Sequence, residues 1–72
     1  MPKPQKHSFN ISGHQTSITL EGEFWQALKS IASANNQSLA QIIINIDNKR
    51  QDENLSSAVR VYILEYYQNR HH

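Results

Sequence analysis

The sequence predicts a mostly α-helical chain with a short β segment near its N-terminus, on three observations. Thr16, Ile18 and Leu20 alternate by two, the period of a half-buried strand. Phe24, Leu28, Ile31 and Ala32 then follow at helical spacing, and after the polar break Asn35-Asn36-Gln37 a second helical stripe runs through Leu39, Ile42, Ile43 and Ile46. A third helical segment covers residues 55–67, behind the polar loop 51–54.

The strand region needs the closest reading. Residues 6–20 are interrupted by Ser12-Gly13, and glycine supplies the positive φ that a two-residue hairpin turn demands. Such a turn sets Ile11 opposite His14, Phe9 opposite Thr16 and His7 opposite Ile18. Phe9, Ile11, Thr16 and Ile18 then share one largely apolar face. Lys6, Ser8, Asn10, Gln15, Ser17 and Thr19 share the other, which is polar throughout. The expected strands cover residues 6–11 and 15–20. A single strand behind a loose arm is the alternative.

Helix signals support three helices, over residues 22–34, 38–49 and 55–68. Glu23 places a negative charge near the positive end of the first. Asn36 suits the left-handed conformation that ends a helix. Ser38 opens S-L-A-Q, a capping box with Gln41 at the reciprocal position. Asn54 stands as N-cap before L-S-S-A-V-R. In the third helix Leu55, Ala58, Val59, Tyr62 and Tyr66 form one stripe, and Val61, Ile63 and Leu64 widen it beyond what one packing partner requires. A helix apolar on two sides calls for two partners, which points to a dimer.

Composition bounds the rest. Seventy-two residues allow one domain, over residues 6–70, with residues 1–5 as a disordered arm and His71-His72 as a tail. With no cysteine to staple so small a core, oligomerisation is the expected source of extra buried surface. The net charge is +1, from seven Lys and Arg against six Asp and Glu, so charge alone does not single out nucleic acid. Lys3 and Lys6 precede or open the strands, and Lys49-Arg50 close the second helix. No apolar run approaches the roughly 18–20 residues of a membrane span. The opening MPKPQKHSF lacks an apolar signal segment, so a cytoplasmic protein is expected.

Catalysis is not expected. There is no cysteine nucleophile, and no spacing brings Ser, His and an acid together. His7 and His14 can meet near the turn, but no further ligand accompanies them, so neither a metal nor a cofactor is expected.

G-H-Q-T-S-I-T-L-E, then E-F-W-Q-A-L, then N-L-S-S-A-V-R-V-Y-I-L-E-Y-Y resembles the small bacterial ribbon-helix-helix domain family in which a third helix follows the usual two. The resemblance runs from residue 13 to residue 67. It implies an intertwined homodimer sharing an antiparallel β-ribbon, and a sequence-specific DNA-binding protein of the Arc/MetJ type that regulates transcription. Alternate outward residues of the strand would contact bases: Gln15, Ser17 and Thr19. Gln can bond adenine bidentately, and Ser and Thr can bond several base edges. Phosphate would be held at the start of the second helix by Ser38 and Leu39, with Lys3 and Lys6 assisting. Ile18, Leu20, Trp25, Ile42, Ile46, Val61 and Leu64 would form the core and the dimer contact.

Two features bear on that docking. Related sequences commonly carry Arg where Gln15 stands, so residues 15–19 hold no charge. A hairpin in each chain would also make the shared sheet four strands wide, more than a groove about 12 Å across accepts. For the usual docking, residues 6–11 must peel away or lie elsewhere. Two other readings share the fold: an antitoxin that also captures a toxin, and a protein-interaction module that has lost DNA.

Overall fold

β1 (Gln5–Ile11) and β2 (His14–Leu20) pair antiparallel within one chain, in a computed structural model that describes residues 3–11 and 13–69. The register is His7 to Ile18, Phe9 to Thr16 and Ile11 to His14, as the turn reading requires. Gly13 holds φ at +82°, where an L side chain would be strained. Ser12, the other half of that turn, lies outside the described residues. So do Met1 and Pro2 of the expected arm and the expected tail His71-His72. Gln5 belongs to the strand and not to the arm, because it pairs with Leu20 of β2, and its carbonyl is also bonded from the first helix.

α1 (Gly22–Ala34), α2 (Leu39–Lys49) and α3 (Leu55–Asn69) complete the fold. α1 ends in a Schellman arrangement: Asn36 sits at φ +54°, Gln37 N–H donates to Ala32 O at 2.9 Å, and Asn36 N–H donates to Ser33 O at 3.3 Å. Ser38 Oγ accepts from Gln41 N–H at 3.1 Å and starts α2. The capping box is only half made, however. The Gln41 side chain donates to Asn45 Oδ1 at 3.2 Å, one turn onward, instead of reaching back to Ser38. Asn54 caps α3 by accepting from Ser57 N–H at 2.8 Å.

The core lies between the apolar face of the hairpin and the three helices. Ile18, Leu20, Leu28, Ile31, Ile42, Ile43 and Val59 are its fully buried members. α1 buries Trp25, Leu28, Ile31 and Ala32, so Trp25 takes the central place and Phe24 packs at the margin. In α3 the buried residues are Leu55, Ala58, Val59 and Ile63, with Tyr62 and Tyr66 half-buried beside them. Val61 and Leu64 face outward, 52% and 56% exposed.

Candidate nucleic-acid interface

A hairpin with one face on a core must turn its other face to solvent, and alternation decides which residues go there. Lys6, Ser8, Asn10, Gln15 and Ser17 are exposed, and Thr19 is half-buried. The register sets Lys6 opposite Thr19, Ser8 opposite Ser17 and Asn10 opposite Gln15. The result is a polar ribbon surface bearing hydroxyls, two carboxamides and one ammonium.

Two groups of contacts, one at each strand, hold the ribbon on the helices. On the β1 side, Trp25 Nε1–H donates to Gln5 O at 3.0 Å, its ring lies 4.1 Å from the His7 ring, and Phe9 stacks at 6.2 Å. On the β2 side, Thr19 N–H donates to Ser56 Oγ at 3.0 Å, and Arg60 Nη2 donates to Thr19 O at 3.2 Å. Arg60 also donates through Nε to Glu21 Oε1 at 3.1 Å and lies 5.8 Å from the centre of the Phe24 ring. Glu21 thus stands below the usual carboxylate range, first through a main-chain hydrogen bond at its own residue and then through Arg60.

The N-terminus of α2 is the second part of the surface. Ser38 is exposed, and its hydroxyl satisfies the Gln41 amide, which leaves the amides of Leu39 and Ala40 pointing out of the helix start. α2 packs against β1, whereas α3 runs beside β2. Lys3 precedes β1, exposed and outside regular structure. His7 and His14 do not pair: the register sets His14 opposite Ile11 beside the turn and His7 opposite Ile18, farther along the strands. Among the described residues no cluster of His, Asp or Glu could hold a metal ion, and no helix is long and apolar enough to cross a membrane.

A two-stranded ribbon followed by helices capped and joined in this way is a known arrangement, and a family model described as Ribbon-helix-helix domain matches residues 4–67. The chain belongs to the ribbon-helix-helix family. No curated protein and no solved structure shows a significant match to it. Ribbon-helix-helix domains are a non-enzymatic, DNA-binding fold and generally form homodimers. Within this ribbon-helix-helix chain, Arg60 and Ser56 are the residues that sequence reading missed as organisers of the ribbon. Their signal, N-L-S-S-A-V-R, was visible as a motif. Which strand it would meet was not.

Proposed function

We propose that the protein is a homodimeric, sequence-specific binder of double-stranded DNA, a bacterial, cytoplasmic regulator of transcription that lays a two-stranded β-ribbon in the major groove. The observation that carries this reading is the unbroken polar face of the ribbon, on a fold whose family binds DNA. A two-stranded ribbon is one of the shapes the major groove admits. Gln15, Ser17 and Thr19 would bond base edges. The start of α2, with the Ser38 hydroxyl and the Leu39 amide, would hold a phosphate where the helix dipole favours an anion, and Lys3 and Lys6 would neutralise others.

Homodimerisation is supported by α3, which leaves Val61 and Leu64 exposed after its other face is fully used. The same surface favours a second reading, a module for a different protein partner such as a toxin. Val61, Leu64 and Tyr67 line an apolar groove with Phe24, and a net charge of +1 is small for a DNA binder.

Binding of a fluorescent random-sequence duplex, followed across salt concentration, tests the DNA reading. Affinity should fall steeply, with a logarithmic slope of about −0.9 for each phosphate neutralised. Absence of binding at low salt would transfer the function to the protein-partner reading.

A further inference from the structure

We infer that the groove between α2 and α3 binds a lipophilic organic cation, with its body on an apolar floor and its charge toward Glu53 and Glu65. None of the groove's residues belongs to the ribbon or to the start of α2, so the inference stands apart from the DNA-binding reading. Only Val61 is shared with the proposed dimer contact.

Helical spacing builds the groove. Ile46, Lys49 and Arg50 follow one another at single-turn intervals on α2 and its cap, and Ala58, Val61, Tyr62 and Glu65 do so on α3. Packing α2 on α3 brings these two faces together around a groove of about 400 Å³, a volume typical of small-molecule sites. Ile46 and Ala58 are buried, Tyr62 is half-buried and Val61 is exposed, so apolar surface runs from the core out to solvent. Val61 also lines the groove that holds Phe24, Leu64 and Tyr67, and it stands between the two.

Charge decides the occupant. Four ionised side chains line the groove: Lys49, Arg50, Glu53 and Glu65. Arg50 is already engaged, through Nε with Asp47 Oδ1 at 2.6 Å and through Nη1 with the main-chain oxygen of Glu53 at 2.9 Å. Lys49, Glu53 and Glu65 are exposed and make no ion pair among the described residues. Two carboxylates therefore stand against one ammonium, and an uncompensated negative charge remains beside the apolar floor. An apolar anion would be repelled there, and a neutral apolar ligand would leave both carboxylates unused. A monocation with an apolar body satisfies both parts of the groove, and Tyr62 adds an aromatic ring of the kind that attracts cations.

The test is a titration of the DNA-free full chain with tetraphenylphosphonium, beside tetraphenylborate, an anion of nearly the same size and shape. Calorimetry reads affinity, and amide and methyl shifts read position. Saturable shifts at Ile46, Ala58, Val61 and Tyr62 are expected with the cation, at an affinity about tenfold above that of the borate. Glu53→Gln and Glu65→Gln should each weaken the cation about threefold, and Lys49→Gln should strengthen it about threefold, all at unchanged melting temperature. Equal affinity for the two probes, full affinity in both glutamine variants of the acids, or shifts centred on Phe24 and Leu64 would overturn the cation site. So would the absence of any saturable shift. No DNA is present, so each of these failures leaves the DNA-binding reading as it stands.

Discussion

The indole N–H of Trp25 donates to the main-chain carbonyl of Gln5 at 3.0 Å, tying the first turn of α1 to the outermost residue of β1. That bond adds to the pairing of β1 with β2 and to the burial of Ile11 in fastening the N-terminal strand to the core. Trp25→Phe keeps most of the packing and removes the donor. Stability should fall by about 1–2 kcal/mol, read from chemical denaturation. Hydrogen exchange should speed up across β1 more than across α2. Equal exchange in both elements would mean that Trp25 contributes bulk alone.

Ile18 has no exposed surface and sits where the hairpin meets the helices. Ile18→Lys places an unpaired charge there, which should cost more than about 4 kcal/mol and leave the chain unfolded at 25 °C. Far-ultraviolet circular dichroism reads this directly. A folded variant would show that the hairpin face is looser than its burial indicates.

Gln15 and Thr19 offer the converse case. Changing both to Ala removes side chains from the polar face and leaves the Thr19 main-chain bonds to Ser56 and Arg60 in place. Stability should stay within about 1 kcal/mol, while sequence-specific DNA binding should weaken by about 1–3 kcal/mol for each side chain that bonds a base edge. Intact affinity would remove these two residues from the readout.

Val61 and Leu64 project from α3 and are more than half exposed. Replacing both with Lys should leave the monomer within about 0.5 kcal/mol per site of its original stability, as expected of exposed positions. On the proposed homodimer, sedimentation should show a dimer for the unchanged chain and a monomer for this variant. A dimer that survives both changes would assign the contact to another face.

Glu21 contributes a pH dependence on the acid side. Its carboxyl titrates below its ordinary value of 4.5, held there by a main-chain hydrogen bond at its own residue and by Arg60. A lowered folded value means that the charged form favours the native state. This contribution is complete above 4.5 and is lost as pH falls through the lowered folded value. Glu21→Gln should therefore flatten part of the fall in melting temperature below pH 4.5. An unchanged acid limb would show that the charge of Glu21, with its main-chain bond and Arg60 together, adds nothing to stability.

Much of this molecule was legible in the chain itself, because the deciding forces act over a few residues. Alternation, the positive-φ demand at Gly13, the left-handed Asn36 and the caps Ser38 and Asn54 are local matters, and each is met where the spacing requires it. The capping box failed only in its second half, where Gln41 had a nearer acceptor in Asn45. The polar and apolar faces of the hairpin followed from the register, and the register from a two-residue turn.

Contacts between distant segments were decided by the tertiary structure. Nothing in the local pattern tells Arg60 of α3 to meet Thr19 and Glu21, or Trp25 to bond Gln5. Those meetings depend on how three helices settle on one sheet face, a packing problem in which long side chains find partners roughly 20–40 residues away. The chain by itself determined which residues form a polar ribbon. Packing decided that β1 is fastened to α1 and that α3 takes the Thr19 main-chain groups on the far edge of β2, because main-chain groups left at a strand's edge take whichever donors and acceptors the helices bring to them.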